Sequence, residues 1–245
     1  MQIRQRTSWL HGGSIVEGLR KSKVMKWLNA AAIACCTVML SACEQDSYDK
    51  GDGYFSDTQA TFCEAHSNSS NAIDYVVTDE GEQLTLTTPV TSKAITTPDC
   101  LYRMTIYYNK VESGKAEVVS MGMVPTLDIV EANEFRNLTT DPVKLESAWV
   151  SKSGKYVNLA LLLRVGAVDA EVERQSLGMV RIENRNNDDG TTTAVVRLHH
   201  SQGDVPEYYS QKYYVSLLTQ QIDADSLCLL INTYDGEVEK LMRIR

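Results

Sequence analysis

Cys43 is the residue whose type and surroundings most clearly favour chemistry in this sequence. It lies where an uncharged apolar run, residues 27–40, gives way to the acidic residues Glu44 and Asp46. A cysteine sulfur can carry a diacylglycerol as a thioether. Each methylene that enters a bilayer contributes about 0.8 kcal/mol, so two or three acyl chains hold a protein firmly at a membrane. We therefore expect Cys43 to be a site of lipid attachment.

The residues before Cys43 have the pattern of an export signal. The apolar run is too short to cross a bilayer core of roughly 30 Å, which needs about 20 helical residues, but it suits a cleavable signal peptide. It follows a group of basic side chains: Arg20, Lys21, Lys23 and Lys26. We expect residues 1–42 to be removed. Because residues 1–24 are longer and more polar than a signal needs, we expect translation to start at Met25 rather than Met1.

The four residues ending at the cysteine, Leu40, Ser41, Ala42 and Cys43, resemble a bacterial lipobox. A lipoprotein signal peptidase cuts at this pattern after the cysteine sulfur has been acylated, which would make Cys43 the first residue of the mature chain. A plain secretory signal with a chance cysteine, or a buried apolar helix, is the alternative.

The charge balance excludes nucleic acid as a ligand class. The chain has 24 Lys and Arg against 32 Asp and Glu, and residues 1–42 hold six of the basic side chains and one of the acids. The expected mature chain therefore has 18 basic and 31 acidic side chains, a formal charge of −13. Such a chain repels phosphate backbones, whose binding needs a basic footprint.

Three cysteines remain beyond Cys43, namely Cys63, Cys100 and Cys228. Export permits disulfides, and three thiols allow at most one bridge within the chain. Cys63 and Cys100 are the plausible pair because both fall in the same half of the mature chain. The alternative is that they are buried free thiols, which pack as small apolar residues.

The titratable residues show no catalytic or metal-binding pattern. His199 and His200 are adjacent, so on a strand they point to opposite faces, and neither of them has a cysteine or carboxylate at a recognised zinc spacing. His66 is the other histidine of the expected mature chain. The nucleophile-elbow, zinc-protease and phosphate-loop motifs are absent from the sequence. Asp188-Asp189-Gly190 is typical of a hairpin turn rather than a calcium loop. We expect no enzymatic activity, cofactor or metal.

Four tyrosines cluster just after Pro206 and form the candidate ligand surface: Tyr208, Tyr209, Tyr213 and Tyr214. Exposed aromatic rings can provide a platform for a sugar or a peptide. The alternative is that alternate tyrosines pack inside the fold while their neighbours lie at its rim.

The pattern of short runs rich in Thr, Val, Ile and Tyr predicts an all-β fold. Residues 43–53 are polar and acidic, which predicts a flexible tether. Five short runs in residues 54–125 predict a small barrel. The strand signal weakens between Val124 and Pro142, which suggests a domain boundary. Seven runs in residues 142–245, separated by turn signals, predict an antiparallel β-sandwich.

The spacing of large apolar residues on two of the sandwich strands predicts part of its core. We expect Trp149, Leu159, Leu161 and Leu163 to be largely buried there.

The chain resembles the NigD-like lipoproteins of Bacteroidetes-type bacteria. The resemblance rests on the lipobox and on short motifs along nearly all the mature chain: Gly51-Asp52-Gly53-Tyr54, Asp79-Glu80-Gly81, Trp149 with Tyr156-Val157-Asn158-Leu159, and Leu198-His199-His200 before Gly203-Asp204. It implies an N-terminal OB-like barrel and a C-terminal β-sandwich. It implies no activity, and the bacteriocin-linked family name hints at an immunity-like or envelope role.

These observations favour a non-catalytic binding or interaction module, anchored in the outer membrane, with a protein or glycan partner. One alternative is an immunity or stress-protective factor against a toxin or bacteriocin, since an acidic chain suits a basic toxin. An envelope hydrolase is the other. The acids Glu44, Asp46 and Asp49 look like the surface-display signal of Bacteroidetes-type lipoproteins, so we expect surface exposure. A periplasm-facing anchor is the alternative.

Overall fold

The predicted all-β fold is confirmed by a computed structural model, which describes residue 53 and residues 55–167 and 174–245. These residues form thirteen strands and one short 3-10 helix. Within these ranges no helix is long and apolar enough to span a membrane. Cys43, the lipobox residues Leu40, Ser41 and Ala42, and the predicted tether up to residue 52 lie outside the described residues.

The first five strands close into a barrel in the order β1-β2-β3-β5-β4. Their bounds are β1 Gln59–Ser67, β2 Ala72–Thr78, β3 Gln83–Thr91, β4 Cys100–Glu112 and β5 Lys115–Met123. Neighbouring strands are antiparallel except β3 and β5, which run parallel and pair over only two residues each. Alternate side chains fill the interior, including Ile73, Val76, Leu84 and Ile106.

The remaining strands form a sandwich of two sheets, one in the order β13-β12-β10-β9-β6 and one in the order β11-β8-β7. Their bounds are β6 Ile129–Glu131, β7 Lys144–Val150, β8 Tyr156–Val165, β9 Ser176–Asn186, β10 Thr192–Ser201, β11 Tyr209–Leu218, β12 Ser226–Thr233 and β13 Gly236–Arg243. The 3-10 helix, Thr219–Gln221, follows β11.

The expectation of purely antiparallel pairing fails at two places in the larger sheet. Strands β10 and β12 are parallel, because the chain leaves this sheet to form β11 in the other sheet before it returns. Strand β6 is parallel to β9 and lies inside the stretch where the strand signal weakens. The described residues belong to one compact unit, Asp52–Arg245, so the division at residues 125 and 142 stays a prediction.

The core of the sandwich contains Leu159, Leu161 and Leu163 of β8, each at most 3% exposed, as predicted. The predicted core position of Trp149 is wrong. Trp149 pairs with Asn158, the neighbour of Leu159, and side chains alternate along a strand. Its ring therefore lies on the opposite face of the three-stranded sheet, where it is half-buried.

Replacing Leu161 by alanine should lower the free energy of unfolding by about 2–5 kcal/mol, because the change removes buried methyl groups and leaves a cavity. Chemical denaturation measures the loss. Leu241→Ala is the control, since Leu241 is 66% exposed and its truncation should change stability by no more than about 0.5 kcal/mol. Equal effects of the two substitutions would contradict the core assignment.

Candidate functional site

A buried ion pair of the barrel lies against the sandwich. Arg103 lies on the outer face of β4 and is only 6% exposed. Its Nη1 donates to Oδ1 of Asp79 at 2.6 Å, and its Nη2 donates to Oδ2 at 2.8 Å. The guanidinium also lies 3.9 Å from the centroid of the Tyr156 ring, which belongs to β8 of the sandwich. A buried charge needs such complete pairing, since its desolvation is otherwise costly.

Two buried polar residues of the sandwich extend this network. Arg103 Nη2 donates to Asn158 Oδ1 at 3.1 Å, and Ser216 Oγ donates to the same oxygen at 2.7 Å. Asn158 and Ser216 are fully buried. Both interrupt apolar strand sequences on the face that packs against the barrel, so their polar atoms find partners there and not in water.

A second polar contact between the barrel and the sandwich flanks the first. Glu64 of β1 accepts hydrogen bonds from Lys155 Nζ at 2.7 Å and from the Tyr156 hydroxyl at 2.9 Å. Partial burial alone would raise the pKa of Glu64, but these hydrogen bonds hold that pKa below its ordinary value. Burial and the hydrogen bond to Glu64 raise the pKa of Tyr156 to about 12. The phenol therefore stays a donor at neutral pH.

A cleft of about 320 Å³ opens beside this network, between the outer faces of the barrel and the three-stranded sheet. Its aromatic side chains centre on Phe62, whose ring meets Trp149 edge-on at 5.6 Å and Tyr214 at 5.2 Å between centroids. The complete lining is Ala60, Thr61, Phe62, Thr105, Tyr107, Glu146, Ser147, Trp149, Ala160, Lys212 and Tyr214. We call this site the aromatic cleft.

The rim of the aromatic cleft is polar. Lys212 Nζ lies 2.6 Å from Glu146 Oε2, and this hydrogen bond raises the pKa of Lys212 above its ordinary value. Tyr107 is 46% exposed on the barrel side. An apolar, aromatic floor with a few polar groups at the edge is the usual composition of a ligand site.

The predicted tyrosine surface is not one continuous surface. Tyr214 joins the aromatic cleft, whereas Tyr213 faces the other way and packs against the sandwich core. Tyr208 and Tyr209 are 78% and 57% exposed and line neither place among the described residues. Strand alternation along β11 accounts for the separation of Tyr213 and Tyr214.

His66, His199 and His200 lie in separate environments. His199 Nδ1 is 3.0 Å from the carbonyl oxygen of Thr139, and its ring packs against Phe135. His200 points into the sandwich, and its Nδ1 is 2.9 Å from the carbonyl oxygen of Asp141. His66 contacts Asp74 on the barrel. In the part of the chain that the structure describes, no group of three His, Cys, Asp or Glu could hold a metal ion.

The pairing of Cys63 with Cys100 is not made, and both are free thiols. In the β1–β4 register Cys63 is opposite Met104, whereas Cys100 is opposite Ser67, four residues further along. Four residues correspond to roughly 13 Å of strand, beyond the reach of a disulfide. Burial raises the pKa of Cys63 to about 12, so this thiol is inert in the barrel core.

Sequence reasoning missed most of the cleft. Phe62 and Tyr107 occupy outward positions on their strands, which the alternation pattern assigns to solvent, and Trp149 was expected in the sandwich core. Asn158 was the available signal, because it is the one polar residue within the apolar part of β8, residues 156–163.

No protein-family model matches this chain, and no curated protein matches it. A NigD-like immunity protein from Bacteroides caccae matches in structure with a TM-score of 0.55 at 20% identity, over 74% of this chain and 91% of that one. This chain has the NigD-like fold. The resemblance drawn from the sequence motifs is thereby confirmed at the level of the fold.

Other solved structures share the NigD-like fold with this chain. A protein of unknown function from Bacteroides vulgatus has a TM-score of 0.59 at 15% identity, over 77% of this chain and 91% of that one. A protein described as a candidate lipoprotein from Bacteroides fragilis has a TM-score of 0.52 at 13% identity, over 77% of this chain and 97% of that one. At these identities the likeness is one of fold alone.

Replacing Arg103 by methionine should lower the free energy of unfolding by about 3–5 kcal/mol, because Asp79 would remain buried without its partner. Denaturant unfolding measures the effect. The double variant Arg103→Met with Asp79→Leu should lose less than the single variant, since it leaves no unpaired charge. Lys152→Ala, which removes an exposed partner of Glu80, is the control and should have little effect.

Stability should fall on acidification because of His200. Burial lowers the pKa of His200, and its Nε2 is buried with no hydrogen-bond partner among the described residues. The unfolded chain then binds a proton more readily than the folded one, so the stabilisation is complete above about pH 6.5 and is lost as the pH falls below that value. Unfolding curves from pH 7.5 to 5 test this.

The variant His200→Gln should show a smaller fall in stability over that range than the unmodified chain. Leu241→Ala, which changes an exposed side chain that has no ionisable group, is the control and should keep the full fall. A pH dependence that is identical in the chain and in His200→Gln would rule out His200 as its source.

Proposed function

We propose that this protein is a non-catalytic binding module of the cell envelope that takes its ligand in the aromatic cleft. The observation that carries the proposal is the cleft itself, in which Phe62, Trp149 and Tyr214 converge beneath a polar rim. The cleft lies beside the Arg103 network, so its two walls are held at a fixed spacing. A preformed site loses little conformational freedom on binding.

The charged groups of the cleft suit binding better than catalysis. Glu146 and Lys212 pair with each other, and the raised pKa keeps Lys212 protonated at neutral pH. A general acid or base works best with a pKa near the operating pH. The pair therefore serves as a polar anchor for a ligand, and the aromatic rings provide apolar contact area.

A photoreactive residue tests the cleft directly. In intact cells, p-benzoylphenylalanine in place of Tyr107 should form a specific adduct, whereas the same residue in place of the more exposed Leu241 should not. Ser147→Trp would put a bulky ring into the cleft from an exposed position and should abolish the adduct. Equal labelling from positions 107 and 241, or an adduct that survives Ser147→Trp, would contradict the proposal.

We also propose that a lipid on Cys43 anchors the module in the outer membrane, with the body displayed at the cell surface. The lipobox, the acids after Cys43, and the candidate lipoprotein among the structural relatives support this. Cys43→Ser should block acylation and leave a soluble or unprocessed protein. Membrane fractionation and the mass of the mature chain measure the outcome, and an unchanged membrane fraction with a normal mature mass would defeat the anchor.

An immunity factor is the second candidate. It is supported by the name of the Bacteroides caccae relative and by the formal charge of −13 expected for the mature chain, which would attract a basic toxin. The adduct at position 107 separates the two candidate functions. For an immunity factor, the cross-linked partner would be a protein toxin supplied from outside the producing cell.

A further inference from the structure

The open end of the barrel contains a second cavity, of about 340 Å³, which is distinct from the aromatic cleft. Its lining is Ile73, Val90, Thr91, Ser92, Ile95, Met104, Met121 and Met123. None of these side chains is charged, and three of the eight are methionines. The whole sequence contains only eight methionines, so this end of the barrel concentrates them.

The strand register brings the three methionines to one surface. Met104 pairs with Met123 across β4 and β5, and Met121 pairs with Ile106, two residues further along β4. Directly paired residues of antiparallel strands point to the same side, with Cβ atoms about 4.5–5.5 Å apart. Met104 and Ile106 face the barrel interior, at 4% and 0% exposure, so Met121 and Met123 face it too.

The methionines also differ in depth. Met104 is buried at the floor of the cavity, Met121 is half-buried, and Met123 is 45% exposed at the mouth. An ion can therefore enter from solvent past Met123 and reach a donor that is shielded from water. Three rotatable bonds per side chain allow the sulfurs to converge on an ion in the cavity without movement of the strands.

We propose that Met104, Met121 and Met123 form a binding site for a soft monovalent metal ion of the Cu(I) or Ag(I) class. Thioether sulfur is an uncharged, soft ligand and favours Cu(I), whereas Ca²⁺ and Mg²⁺ require several oxygen ligands. This inference goes beyond the proposed function and does not depend on it, since the cavity shares no residue with the aromatic cleft.

Packing alone would not distinguish methionine from leucine at these positions. Leucine has a similar volume and polarity, and such exchanges usually cost less than about 1.5 kcal/mol in a core. It has no sulfur. The variants Met121→Leu and Met123→Leu therefore remove the donors and leave an apolar barrel mouth that still folds.

The test uses the full chain labelled with ¹³C at the methionine methyl groups, treated with iodoacetamide to block accessible thiols, in chloride-free buffer. Silver nitrate is the redox-stable probe. One equivalent should shift the methyl signals of Met104, Met121 and Met123 and leave those of Met179 and Met242 in place. Met179 is buried in the sandwich core, so it serves as an internal control.

Competition with bathocuproine disulfonate then measures Cu(I) affinity under reducing conditions. Met121→Leu and Met123→Leu should each weaken binding at least tenfold, whereas Met179→Leu should leave it unchanged. Thermal unfolding of the variants without metal checks that the barrel is intact. Silver shifts that extend equally to Met179 and Met242, or Cu(I) affinity that is unchanged in the Met121→Leu, Met123→Leu double variant, would overturn the proposal.

Discussion

The contact between Arg103 and Asp79 is the interaction on which the rest of the arrangement depends. Two ions are expensive to bury, and the cost is offset only when every donor and acceptor has a partner in good geometry. Here the partners come from the barrel and from the sandwich, since Asn158 and Ser216 share the guanidinium with Asp79. Apolar surfaces alone would tolerate sliding, whereas this network is satisfied in one relative position of the strands.

The aromatic cleft is a continuation of the same strands. Moving two residues along β4, from Arg103 to Thr105, or along β8, from Asn158 to Ala160, leads from the polar network into the cleft. The side chain of Ala160 is small and leaves the cleft open, whereas the side chains of the network residues fill the space between the barrel and the sandwich. The polar network and the aromatic cleft therefore lie side by side along one interface, and the network determines the width of the cleft.

The strand pattern was predictable because β-branched and aromatic runs with turn residues between them form strands for local reasons. The strand pairings that depend on residues distant in the sequence were not predictable. Strand β6 has three residues and exists through its parallel contact with β9, and the parallel pairing of β10 with β12 follows from a crossover between sheets. The spacing of Trp149 wrongly suggested a core position. Alternation also cannot tell whether an outward face, such as the one that presents Arg103, meets water or another sheet.

The parallel seam between β3 and β5 has a dynamic consequence. It joins only Thr85 to Lys115 and Leu86 to Ala116, so the barrel is closed there by far fewer backbone hydrogen bonds than at its antiparallel contacts. Local opening begins where such contacts are fewest. Amide hydrogens along this seam should therefore exchange with solvent ahead of those in β1 and β4, so the barrel can open locally at the seam while the sandwich remains folded.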